Sequence, residues 1–71
     1  METITITTEY IRLQDLMKLS NMVSSGGEAK QLIQDGQVLV NGEPCLQRGR
    51  KLRPWDEVSY GGRTCTPAYA S

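Results

Sequence analysis

The eight residues VLVNGEPC, 38 to 45, constrain the fold more than any other stretch of the chain. Val38 to Val40 reads as a strand. Asn41-Gly42 is the favoured dipeptide for a two-residue type I′ turn, in which both residues take positive φ. The chain is therefore expected to double back here as a β-hairpin. Pro44 has no N–H to donate, so the returning strand should be short or lie at a sheet edge. With 71 residues the chain is expected to be one domain, 1–71, with a core that cannot be deep. Aromatics are few (Tyr10, Trp55, Tyr60 and Tyr69), so Leu, Ile, Val and Met must make most of that core.

Other elements follow from hydrophobic period. Residues 3 to 7, TITIT, alternate strictly, which predicts a half-buried strand with Ile4 and Ile6 inward, at a sheet edge. Leu13, Leu16, Met17 and Ser20 fall on one face of a short amphipathic helix, with Gln14 and Lys18 opposite. NMVSSGG breaks that pattern as a turn. A second helix is expected over 24 to 36: Ser25 and Glu28 fit a capping box, Ala29, Leu32 and Ile33 form the inward stripe, and Gly36 fits the left-handed C′ position. Gly26 and Gly27 weaken its first turn and leave room for a close neighbour, either another backbone, a phosphate or a tight helix–helix contact. Pro54 to Asp56 reads as a turn, EVSY as a strand, Gly61-Gly62 as a second hairpin turn and RTCT as its return. From about residue 66, PAYAS reads as a loose tail. The order predicts an α+β fold: two short packed helices followed by a small antiparallel sheet, with a short N-terminal strand.

Several function classes are disfavoured. There is no histidine, which removes the commonest general base and metal ligand. Cys45 and Cys65 form no CxxC pair, so no metal site is expected; they read as reduced, buried or half-buried strand residues of a cytoplasmic protein. No run is long and apolar enough to span a membrane, and METITITTEY lacks the basic and apolar regions of a secretory signal. An enzyme is not expected, and no cofactor is implied.

Charge is the second constraint. The chain is formally neutral, with eight bases and eight acids. Residues 1 to 46 carry three bases against six acids, whereas residues 47 to 53 carry Arg48, Arg50, Lys51 and Arg53 with no acid. A phosphate backbone meets local potential, not net charge. From charge alone two readings stay open: a phosphate-contacting segment, or a solvated loop balanced by Asp56 and Glu57.

The pattern Leu13-x-x-Leu16-x-Lys18-Leu19, then Ser25-x-x-x-Ala29-Lys30-x-x-Ile33-x-x-Gly36-x-Val38-x-Val40-Asn41-Gly42, resembles the S-four-type RNA-binding domain. The later run Gln47-Arg48-Gly49-Arg50-Lys51-Leu52 and the turn and strand Pro54-x-Asp56-x-Val58 are similar to its small stand-alone bacterial members, the YaaA/YbcJ type. The resemblance covers about residues 9 to 60. It implies that the two helices and the hairpin form the α-L motif of that family. One departure stands out: many members place Arg after the capping Ser, where this chain has Gly26, which implies a different or weaker contact there.

The resemblance favours structured RNA, ribosomal RNA among the candidates, as partner of a cytoplasmic, monomeric, non-catalytic module. The RNA-contacting residues it singles out with the charge pattern are Arg48, Arg50, Lys51, Arg53, Lys30, Lys18, Arg12 and Ser25, the last of which reads more readily as a helix cap. Trp55 can stack on a base or cover the edge of the core; packing is the expectation for the lone Trp of so small a chain. The competing reading is a protein-interaction module that docks its basic loop on an acidic partner. DNA binding is compatible with the same charge.

Overall fold

The type I′ turn forms as the dipeptide dictates: in the computed structural model, which describes residues 1–70, Asn41 and Gly42 have φ of 54° and 86°. Around this hairpin the elements run β1 (Glu2–Ile6), β2 (Ile11–Arg12), α1 (Leu13–Leu19), α2 (Gly26–Gln34), β3 (Leu39–Val40), β4 (Glu43–Pro44), β5 (Lys51–Leu52), β6 (Val58–Tyr60) and β7 (Arg63–Tyr69). Five strands form one sheet in the order β1-β7-β6-β3-β4, and β2 pairs with β5 in a separate two-stranded ladder. The α+β class and the two packed helices are as expected from sequence. Pro44 does sit on the edge strand β4, and Ile4 and Ile6 point inward from the other edge strand, β1.

Two expectations need correction. The sheet is mixed, because β1 runs parallel to β7 while its other pairs are antiparallel. The tail from residue 66 is not loose. It completes β7, whose residues Cys65 to Tyr69 pair with Glu2 to Ile6. Pro67 signals a break, but it is fully buried and lies beyond the residues that pair with β6. The strand is open on that side, where a missing N–H can be accommodated. The Tyr69 hydroxyl donates to the Glu9 carbonyl at 2.8 Å, and Ala70 N–H donates to the Ile6 carbonyl at 2.9 Å.

The core is built from buried side chains of both helices and of the strands. Leu13, Leu16 and Met17 of α1, Ile33 of α2, Leu52 of β5 and Val58 of β6 are all fully buried. Each such side chain contributes about 1.5–3 kcal/mol of transfer free energy. Helix α2 starts as its capping pattern requires: the Ser25 hydroxyl accepts from Glu28 N–H at 3.2 Å, and the Glu28 carboxylate reaches back to Ser24 N–H at 2.8 Å. It ends at Gly36, φ 73°. A side chain at Gly26 would meet nothing within 4 Å, so a tight helix–helix contact does not explain the glycine pair. Both cysteines are unpaired and buried, and burial pushes the Cys65 thiol up from its ordinary pKa.

Arg63 joins three elements. Its guanidinium binds the Glu2 carboxylate at 2.6 and 2.7 Å and the Ser20 carbonyl, at the end of α1, at 2.6 Å. These hydrogen bonds hold the Glu2 carboxyl below its ordinary pKa. A depressed carboxylate stabilises the fold above its unfolded-state pKa, and that contribution is lost as pH falls through its folded value. Glu2→Gln should therefore melt somewhat below wild type at neutral pH. The two melting curves should converge in acid, below the carboxylate range, and a gap that persists there would assign Glu2 a role other than this ion pair.

Candidate nucleic-acid interface

The basic segment 47–53 is not a free loop. Helix α1 has Arg12 at its N-cap with no side-chain cap, so its first N–H groups need other acceptors. The segment supplies them: Leu13 N–H donates to the Arg50 carbonyl at 2.9 Å, and Gln14 N–H donates to the Arg48 carbonyl at 3.1 Å. Arg12 then pairs with Lys51, and Ile11 with Leu52, in the β2–β5 ladder. The Arg48 and Arg50 carbonyls are thus turned toward α1, while the Arg48, Arg50 and Lys51 side chains are exposed. Gly49 does not adopt positive φ, and a Cβ there would meet nothing within 4 Å, so the backbone surface at this point is open.

Asp56 holds the far end. It is 8% exposed; one carboxylate oxygen accepts from Asn41 Nδ2 at 2.9 Å and the other from Arg53 N–H at 2.9 Å. Asn41 completes the clamp, accepting Glu57 N–H on its side-chain oxygen at 2.9 Å and donating its own N–H to the Glu57 carbonyl at 2.8 Å. The Asp56 carboxylate therefore serves the fold and is not spent balancing a guanidinium. Among the described residues, the ion pairs are Lys18 with Asp15 at 3.3 Å and Arg63 with Glu2 at 2.6 Å; neither involves a base of the segment.

The structure brings some of the expected residues together and not others. Lys30 and Gln34 of α2 line one groove, of about 450 Å³, with Leu46, Gln47, Arg48 and Gly49. No acid lines it. Lys51 and Arg53 converge over the Tyr10 ring, with the Lys51 ammonium 4.8 Å and the Arg53 guanidinium carbon 6.0 Å from its centroid. Each such contact is worth about 0.5–1 kcal/mol at an exposed site and fixes where the cation sits. Arg12 lines a second hollow of about 420 Å³ with Tyr10 and Asp15. Lys18, by contrast, is paired with Asp15, and the Ser25 hydroxyl is engaged as the α2 cap. Trp55 is the largest departure: it is 70% exposed and does not cover the core.

Sequence reasoning missed Tyr10, Asp56 and the second role of Asn41. Tyr10 lies outside both the strand and the helix pattern, and only the pairing of residues forty apart in β2 and β5 brings the cations onto it. Asp56 carried a signal, since an acid after Pro54-Trp55 is common turn chemistry, but its Asn41 partner lies 15 residues away.

Two short helices packed on a mixed sheet define a small α+β module. The chain belongs to the S4 domain family: the family model described as "S4 domain" matches residues 4–66. It is also similar to the probable ribosome maturation protein RlbA of Bacillus subtilis (strain 168), with 46% identity over 59 residues, 83% of each chain.

Proposed function

We propose that this chain is a non-catalytic module that binds structured RNA, with ribosomal RNA or a maturing ribosomal particle as its target. The observation that carries the reading is the acid-free groove in which Lys30 of one element meets Arg48 and the open backbone of Gly49 from another. Arg50, Lys51, Arg53 and Arg12 are proposed as further phosphate contacts, and membership of the S4 domain family and similarity to a ribosome maturation protein support the reading. Contacts of this kind are made to phosphates and to the shape of a helical RNA, which carry little sequence information. The module is expected to act in the cytoplasm, where ribosomes mature.

The test uses the salt dependence of affinity. A cation that neutralises a phosphate releases counterions, whereas a cation already paired with a carboxylate releases fewer. Lys30→Gln should therefore flatten the plot of log affinity against log salt by about one unit. Lys18→Gln should change it little, because Asp15 already holds that ammonium. Arg63 is unsuitable as a neutral reference, since its removal would unfasten β1 from α1. Equal slopes for Lys30→Gln and wild type would remove the groove from the binding surface. Binding that resists competition by unrelated structured RNA would favour an acidic protein partner instead.

A further inference from the structure

Trp55 is the only tryptophan of the chain, and 70% of it is exposed. A side chain of this size is normally among the first that a small domain buries. Here the backbone withholds it. On one side, Asp56 is buried and its carboxylate takes the Arg53 N–H at 2.9 Å. On the other, the Thr66 hydroxyl of β7 lies 2.9 Å from the Pro54 carbonyl and 2.7 Å from the Asp56 carbonyl, its proton shared between them. The residues before and after Trp55 are thus fastened to β7 and to the Asn41 clamp, and the indole is left standing outward from a fixed turn.

In the chain it stands between two cations, Lys51 and Arg53, and two acids, the buried Asp56 and the exposed Glu57. Lys51 and Arg53 precede it in the chain, and both stand over Tyr10. Among the described residues no cation covers Trp55, although indole is the better cation–π acceptor, so its face is free. The other strongly exposed apolar side chains, Met1, Leu19, Leu46 and Tyr69, sit elsewhere in the chain: before β1, at the end of α1, after β4 and at the end of β7. A flat aromatic that stands outward from a hydrogen-bonded turn, two residues after Arg53 and four after Lys51, suits a nucleobase whose own phosphates those cations contact.

We infer that Trp55 is a stacking platform for an unpaired RNA base, next to the phosphate contacts of Arg53 and Lys51. The inference rests on the RNA-binding reading above and adds to it a selection that phosphate contacts cannot make. A paired base is already stacked within its helix, so this site would prefer RNA that carries a loop or bulge beside a helical segment.

Because Trp55 is the only tryptophan, its emission reports on the site directly. The probes are a stem-loop RNA with an unpaired adenosine loop and the same stem closed as a blunt duplex. The stem-loop should quench Trp55 saturably, and the duplex should not. Trp55→Ala should weaken stem-loop binding about tenfold, leave duplex binding within about twofold and keep the salt slope, while Trp55→Phe restores most of the loss. Circular dichroism would confirm that both variants are folded. Wild-type affinity for both RNAs in folded Trp55→Ala, with unquenched wild-type emission at saturation, would overturn stacking and leave the phosphate site standing. Equal losses on stem-loop and duplex would also overturn it, by making Trp55 a contact blind to strandedness. If wild type binds neither RNA, the RNA reading falls and the stacking site with it.

Discussion

Asp56→Ala is expected to lower the stability of the chain by about 1–3 kcal/mol, because it removes the acceptor of two hydrogen bonds, from the exposed Asn41 Nδ2 and from the half-buried Arg53 N–H, each contributing about 0.5–1.5 kcal/mol. For a domain of this size that is a large share of the total, which is about 0.05–0.15 kcal/mol per residue. The loss is large because the clamp is long-range. It ties the Asn41-Gly42 turn to the Pro54–Asp56 turn, and between them runs the whole basic segment. Urea unfolding should show a lower midpoint with an unchanged slope. A midpoint within the error of wild type would mean that the β3–β6 ladder alone holds the two turns together.

The second large effect concerns binding. Arg50 and Lys51 are exposed, unpaired among the described residues, and anchored by their own backbone to α1 and β2. Arg50→Ala combined with Lys51→Ala should weaken binding to structured RNA about tenfold or more, uniformly across sequences. It should flatten the salt slope by about two units, one for each lost phosphate contact. The fold should survive, since both hydrogen bonds from α1 go to backbone carbonyls that Ala retains. Lys51 also contributes its contact with Tyr10, so a loss of up to about 1 kcal/mol in stability is expected from the pair. A folded double variant with the wild-type slope would show that these cations face solvent and not RNA.

How much of this was legible in the sequence depended on the range of the interaction. Local signals were sufficient where the chain answers to its neighbours. Asn41-Gly42 and Gly61-Gly62 take positive φ as their turn type requires, Ser25 caps α2, and Leu13, Leu16 and Met17 are buried at the helical spacing that marked them. The charge count located the basic segment but could not say what anchored it. That depends on Leu13 and Gln14 reaching carbonyls some 35 residues away. Pro67 misled because a proline weakens a strand prediction on either of its two sides, and only the three-dimensional pairing reveals that one side is open. Trp55 misled for the opposite reason. Its composition argues for burial, whereas its exposure follows from Thr66 and Asp56 fixing the turn, which no local pattern encodes. The Lys30 groove was half legible: the helix face was readable, but its partner Arg48 was a matter of packing.

In the proposed mode of binding, one surface made by α2 and the segment 47–53 meets structured RNA. Amide shift mapping of the whole chain during titration with a ribosomal RNA stem-loop tests it most directly. Saturable shifts are expected at residues 47 to 53 and along α2 around Lys30 and Gln34, with β1 and the β1-facing half of β7 silent. Shifts confined to β1 and β7, or no saturable shifts at any salt concentration, would contradict it.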